Sequence, residues 1–342
     1  IVITGLLGLG ALVASWSGTT GASVLLILPL LRANEERKHK VHVVVFFIFV
    51  VSNCGGLLTP LGDPPLFLGF LKGVPFAWTL GLWREWLFVN GALLVVFNVW
   101  DQIALNREQA ETTEPLLEEL IEHEPLRIEV AHNFAFLAGI IAVIYASGSG
   151  LGSNGAPWLT GIQEAAMLAI AIVAFVTTPA HLRAANRFRF GPIIEVAVLF
   201  AGIFVTMAPA LLLLNQNAAS LPVREPWQFF WASGLLSSFL DNAPTYLTFA
   251  AAACGLDGIA LEGRYLAAYL QTGAKAAEIL AAISCGAVMM GANTYIGNGP
   301  NFMVKAIAEE NGVRMPSFFG YMAYSAAILI PIFAVVTYLF FV

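Results

Sequence analysis

Apolar residues in this chain come in blocks rather than stripes, the pattern of helices that are apolar all round and lie in a protein core or a bilayer. Crossing a bilayer takes about 20 apolar residues. The windows that approach or reach this length are Val43 to Leu58, Leu87 to Leu105, Asn133 to Ser147, Ala165 to Val176, Ile193 to Leu214, Ala276 to Met290 and Phe318 to Val342. Two further apolar stretches carry small polar residues halfway along. Ile1 to Leu31 is interrupted by Ser17-Gly18-Thr19-Thr20-Gly21, and Phe229 to Ala253 by Asp241-Asn242-Ala243-Pro244-Thr245. Each reads as a re-entrant hairpin whose tip stops near the bilayer midplane.

One stretch occurs twice. Thr59 to Phe67 (TPLGDPPLF) returns as Thr294 to Phe302 (TYIGNGPNF), each time as a Gly/Pro interruption at the end of an apolar window. Irregular backbone at membrane depth persists only where protein buries it or a cavity runs beside it. Paired breaks at matching places in two halves mark a transporter's binding site. Each half then reads hairpin, broken helix, final helix. Residues 1–106 form the first repeat, 107–131 an acidic linker with a short amphipathic helix near Pro115 to Ile121, and 132–342 a second repeat in which three helices precede the hairpin. The same three helices are expected in a complete first repeat, which places roughly a hundred residues before Ile1.

Lys and Arg set the orientation. Arg32, Arg37, Lys38 and Lys40 follow the first hairpin, and counting crossings puts Arg183, Arg187, Arg189, Lys305 and Arg314 on the same, cytoplasmic side. Arg84, Arg224, Arg264 and Lys275 fall opposite. The two hairpins therefore enter from opposite faces, and inverted repeats of this kind support alternating access.

Composition agrees with a membrane protein: 58% of residues are hydrophobic, 11% are charged and the mean hydropathy is +0.79, against about 25% charged in soluble domains. The net charge of -6 lies largely in the linker, and no basic stripe offers a nucleic-acid surface. Cys54, Cys254 and Cys285 read as buried structural thiols, and the five histidines form no ligand cluster.

Candidate chemistry sits at the breaks and tips. Asp63 and Asp241 are expected near the midplane, where an acid costs roughly 2.5–3.5 kcal/mol, and no Lys or Arg lies in either break or tip. A proton or a cation is then the partner to look for, with helix capping as the plainer alternative. Neutral oxygen donors surround the acids: Thr19, Thr20, Ser52, Asn53 and Thr59 in the first half, and Ser237, Ser238, Asn242, Thr245, Asn293, Thr294, Asn298 and Asn301 in the second. Hard cations take oxygen ligands, which makes Asp241, Asn242, Asn53 and Asn298 candidates for Na+. Gly62 and Gly297 give the breaks their backbone freedom. Free N–H groups at half-helix starts equally suit a carboxylate substrate. Glu164 and Glu195 lie at helix starts, where the dipole accounts for them, and Glu278 reads as an i, i+3 partner of Lys275.

Ser52 to Pro65 (SNCGGLLTPLGDPP), Leu240 to Thr245 (LDNAPT) and Thr294 to Phe302 together resemble the citrate transporter-like family of the ion transporter superfamily, whose bacterial members are commonly named sodium:proton antiporters. The resemblance implies an all-α, inverted-repeat, elevator-type carrier of the bacterial inner membrane, often a homodimer, with Na+ and substrate held between hairpin tips and broken helices and no organic cofactor. Dicarboxylate carriers of the superfamily mark both tips with Ser-Asn-Thr. Here the tips are Gly18-Thr19-Thr20-Gly21 and Asp241-Asn242-Ala243-Pro244, and an acid at a tip suits a cation better than a tricarboxylate. The expectation is a secondary transporter exchanging Na+ for H+, with Na+-coupled uptake of citrate or another carboxylate as the alternative. An intramembrane aspartyl protease, a lipid-modifying transferase and a channel are weaker readings, since none of them needs duplicated, oppositely oriented hairpins.

Overall fold

A computed structural model describes residues 2–111, 132–149, 151–152, 158–159, 161–185 and 190–342. Their regular structure is all helical, with no strand among them. One compact unit combines Ile1–Thr113 with Thr206–Val342; Glu114–Val205 forms the other.

The first unit opens with α1 (Val2–Ser17) and α2 (Thr19–Arg32), which pack on each other as a hairpin. Only Gly18 separates them, at φ +83°, in the left-handed region that glycine enters without a Cβ penalty. Next comes α3 (Val41–Val50), apolar at every position except His42, continued by a tight 3₁₀ turn over Cys54–Leu58. The helix stops there, because Thr59 is extended and the following residues form turns up to Asp63. Helical structure resumes at α4 (Pro64–Leu71), whose two leading prolines occupy first-turn positions where a missing N–H is harmless. The long α5 (Trp83–Glu111) closes this half.

In the second unit α6 (Asn133–Ser149) packs on α7 (Ile162–Thr177), and Asn133 Nδ2 donates to Thr178 Oγ1 at 3.2 Å. Glu164 lies in the first turn of α7, as the dipole argument expects. Within the short α8 (Ala180–Ala185), Arg183 donates to the carbonyls of Phe175 and Thr178 at 2.5 Å each, covering the end of α7. The helix α9 (Gly191–Gln216) follows; the Glu195 side chain and the amphipathic helix expected near Pro115 to Ile121 lie outside the described residues.

The pattern of the first half then returns. A capping box between Glu225 and Gln228 and a proline at N1 start α10 (Pro226–Ser237), which forms a second hairpin with α11 (Asn242–Leu256). After the short α12 (Tyr265–Leu270), α13 (Ala274–Met289) ends in a 3₁₀ turn over Met290–Asn293. Following the break come α14 (Gly299–Glu310), with Pro300 in its first turn, and α15 (Phe318–Val336). Lys275 does not pair with Glu278: it reaches Glu225 at 2.9 Å across to the start of α10, a longer-range partner that i, i+3 spacing cannot reveal.

Burial separates an inner pair of helices from an outer pair. In Val41–Leu58 and Ala274–Asn293 the 18-residue apolar windows are 89% and 83% buried, whereas those within Phe76–Glu108 and Phe318–Phe341 are each 33% buried. All four are long and apolar enough to cross a bilayer. The outer pair turns side chains such as Val95, Phe319 and Tyr338 outward, an apolar face suited to lipid rather than water.

The halves interlock. The arm α11 of the second hairpin lies on α4, just past the first break, while α2 of the first hairpin lies on α14, just past the second. The backbone N–H of Leu266 donates to Lys72 O at 3.0 Å between them. This exchange brings both tips and both breaks together.

Candidate functional site

The two breaks are built from the same bonds. Ser15 Oγ donates to Gly55 O at 2.5 Å, and Ser238 Oγ donates to Met290 O at 3.1 Å. Thr59 Oγ1 donates to Ser15 O, as Thr294 Oγ1 does to Ser238 O. The same hydroxyls accept from Leu61 N and from Ile296 N, both at 3.2 Å. Each threonine thus ties a hairpin tip to its own break while satisfying an N–H that the helix has left unpaired, which buried irregular backbone requires.

Glycines set how closely the strands of each break approach. A Cβ on Gly62 would run into Gly56 O. One on Gly297 would stand 2.5 Å from Gly291 O and 2.7 Å from Ser237 O. Only a hydrogen fits at either place.

Asp63 stands where the pieces converge. It is 2% exposed and occupies the N-cap position of α4, but its side chain makes no cap bond there. It accepts instead from Thr19 Oγ1 at 2.8 Å, from Asn242 Nδ2 at 2.5 Å and from Asn298 Nδ2 at 3.3 Å. These donors come from the first tip, the second tip and the second break. Thr19 N also donates to Gly62 O at 2.8 Å, fixing the first tip onto the first break. Among the described residues no Lys, Arg or His pairs with Asp63. A buried carboxylate with only neutral donors retains a charge that a proton or a cation can balance.

An amide network extends from the acid. Asn298 Nδ2 reaches Ser52 O at 3.1 Å and Asn53 Oδ1 at 3.2 Å. Asn53 Nδ2 donates to Asn301 Oδ1 at 2.6 Å and to Ile48 O at 2.8 Å, and Asn301 Nδ2 closes on Gly291 O and Thr294 O. Asn242 Oδ1 is buried, with no hydrogen-bond partner among the described residues. An oxygen so placed beside a carboxylate is available to a cation.

The remaining sequence candidates fall outside this centre. Asp241 is only partly buried and caps α11, accepting from Ala243 N at 3.5 Å, while Thr245 Oγ1 donates to Asp241 O. Thr20 faces outward. Asn293 Nδ2 donates to Ser238 Oγ at 2.9 Å, and Ser237 Oγ to Ala287 O at 2.6 Å, both bracing the second tip. Cys54, Cys254 and Cys285 are buried free thiols, and no group of metal-ligating side chains occurs among the described residues.

Several supporting residues were not among the sequence candidates. Ser15 is one, although it stands three residues before Gly18 as Ser238 stands three before Asp241, and that register would have found it. Ser23, whose Oγ pairs with Ser52 Oγ at 2.8 Å, and Trp86, which donates to Gly55 O at 3.0 Å, gave no such signal. Nor did Asn90, which donates to Cys54 O, or Tyr321 and Ser325, which donate to Ala292 O and Asn293 O.

The sequence model of a family described as "Putative citrate transport" matches residues 1–341. No curated protein matches the chain at a significant level.

Proposed function

The chain belongs to this citrate transport family, a family of membrane transporters, and from that premise we propose that it is a cation-coupled secondary carrier whose ion site is Asp63. The observation that carries this reading is the bonding of Asp63. One buried carboxylate holds both tips and the second break through neutral donors, with no cationic side chain among the described residues to neutralise it. Asp63, Thr19 Oγ1 and the unpartnered Asn242 Oδ1 form an oxygen set suited to Na+, a hard cation. The same carboxylate accepts a proton once Na+ leaves. Since a cation binds the deprotonated form, the two compete for one group, which is the minimum needed for Na+/H+ exchange.

In this mechanism both hairpins are re-entrant. Releasing either tip strips Asp63 of one donor and opens the ion to one side of the bilayer, while the Thr59 and Thr294 hydroxyls keep each break intact. The related construction of the two tips supports two related conformations, one open to each side. A homodimer in a bacterial inner membrane is the setting that the superfamily resemblance implies.

Na+-coupled uptake of citrate is the second reading, and the family match favours it. Here Na+ at Asp63 neutralises the site, and the amides of Asn53, Asn298 and Asn301 receive the carboxylates. One experiment separates the two readings. Protein in proteoliposomes is given an inward Na+ gradient while internal pH and labelled citrate are read together. Alkalinisation without citrate entry supports exchange, citrate entry supports symport, and Asp63→Asn should abolish whichever occurs. Wild-type transport by the variant would remove Asp63 from the ion path.

A further inference from the structure

Beside the basic loop after α2, residues of α3, α5 and the loop before α15 line an open cavity of about 480 Å³. Its charged lining is all basic: Lys38, Arg107 and Arg314, with His39 and His42 beside them. The two nearby acids are engaged by Arg37 and by the histidines at the cavity's edge. Asp101 accepts from Arg37 Nη1 at 2.7 Å and pairs with His42 Nε2 at 2.9 Å, while Glu108 lies 3.6 Å from Arg37 Nε and accepts from His39 N at 2.5 Å. Among the described residues no carboxylate pairs with Lys38, Arg107 or Arg314.

The cavity does not end in solvent alone. Trp100, Ile103 and Arg107 also line an adjoining groove along the outer face of α5, otherwise formed by Val95, Val96 and Val99. Val95 is 65% exposed and Val99 56%. Trp100 forms a rigid wall at the junction, stacked at 5.7 Å on Tyr324 and at 6.4 Å on His42. A basic pocket opening into an apolar groove on a lipid-facing helix matches an anionic headgroup joined to an acyl chain.

We propose that this is a binding site for one anionic phospholipid, its phosphate among Lys38, Arg107 and Arg314 and an acyl chain along Val95, Val99 and Ile103. By the distribution of Lys and Arg the pocket faces the cytoplasm, where basic pockets between transmembrane helices meet anionic headgroups. The charge favours an anionic headgroup over a zwitterionic one, and the groove favours a lipid over a soluble anion. The proposal rests on the membrane reading and not on the identity of the cargo, so transport assays and lipid assays fail independently.

The test is native mass spectrometry of the purified protein after exposure to equal amounts of phosphatidylglycerol and phosphatidylcholine. One phosphatidylglycerol should be retained in preference. Each basic residue contributes about fivefold, so the Lys38→Gln/Arg107→Gln/Arg314→Gln variant should lose on the order of a hundredfold while its elution and thermal melting stay unchanged. Equal retention of both lipids, or unaltered retention by the variant, overturns the site. Displacement of the lipid by an equal concentration of glycerol phosphate overturns the role of the groove. Carbodiimide crosslinking of Lys38 to a linker glutamate within residues 112–131, undiminished by phosphatidylglycerol, would make the chain's own linker the occupant.

Discussion

Gly297 and Gly299 lie two residues apart in one break, and the structure separates them sharply. A Cβ at Gly297 meets Gly291 O at 2.5 Å and Ser237 O at 2.7 Å, whereas one at Gly299 meets nothing within 4 Å. Close carbon–oxygen contacts between polypeptide segments fall near 3.3–3.6 Å, so Gly297→Ala is about 0.6–1.1 Å too close at two points. Both obstructing atoms are backbone, so no side chain can rotate away. One belongs to the turn that ends α13 and the other to the last residue of α10, and relief means parting the second tip from its break. Overpacking of this order costs about 1–3 kcal/mol, and rigid surroundings favour the upper end. At about 2–4 °C per kcal/mol, Gly297→Ala should melt several degrees below the parent in detergent and transport poorly in proteoliposomes. Gly299→Ala, at the first position of α14, should match the parent in both. Equal behaviour of the two variants would refute the reasoning, because the break would then be a passive interruption that tolerates a methyl group.

Other outcomes follow from the same geometry. Thr19→Val removes a donor to the Asp63 carboxylate, a charged hydrogen bond contributing about 1.5–3 kcal/mol, and should weaken apparent Na+ affinity by roughly ten- to a hundredfold in a Na+ titration of transport. Thr20→Val, on the exposed side of the same helix start, should leave that titration unchanged, and equal effects would mean that the tip and not the hydroxyl matters. Asp241→Asn should keep transport within a few-fold of the parent, since Asn caps a helix about as well as Asp, while Asp241→Ala should lose about 1 kcal/mol of stability; abolished transport in Asp241→Asn would return that residue to the ion path. Cysteines replacing exposed Glu36 and Ala260 report on the inverted arrangement against a background of buried native thiols. An impermeant reagent added outside should label Ala260→Cys alone, and labelling of both from one side would remove the inversion.

The helices were legible because their signal is composition, which survives without neighbours. Val43 to Leu58 and Ala276 to Met290 read as apolar windows ending in breaks, and they are the buried inner helices. Gly62 and Gly297 were legible as paired interruptions. The different bonding of the two acids was not. Asp63 precedes two prolines and looks like a cap, and Asp241 sits at a tip and looks like a ligand, yet the capping bond is made by Asp241. What decides between them is the approach of Asn242 and Asn298, 179 and 235 positions away along the chain, a contact that no local pattern encodes. Lys275 and Glu225, 50 positions apart, escaped for the same reason.

Asp63 and Asn298 hold corresponding places in the two copies of the repeated stretch, so a pseudo-twofold arrangement carries one acid where strict symmetry would give two. That asymmetry bears on the valence of the proposed exchange. On the exchange reading, a site with one carboxylate releases one Na+ for each H+ that returns. The cycle is then electroneutral, driven by concentration alone and indifferent to membrane voltage. Clamping proteoliposomes at different potentials with K+ and valinomycin should leave the exchange rate unaltered. Asn298→Asp would restore the symmetry and place a second charge beside the first, and a voltage-dependent rate in that variant would mean that the paired acids take up unequal numbers of Na+ and H+.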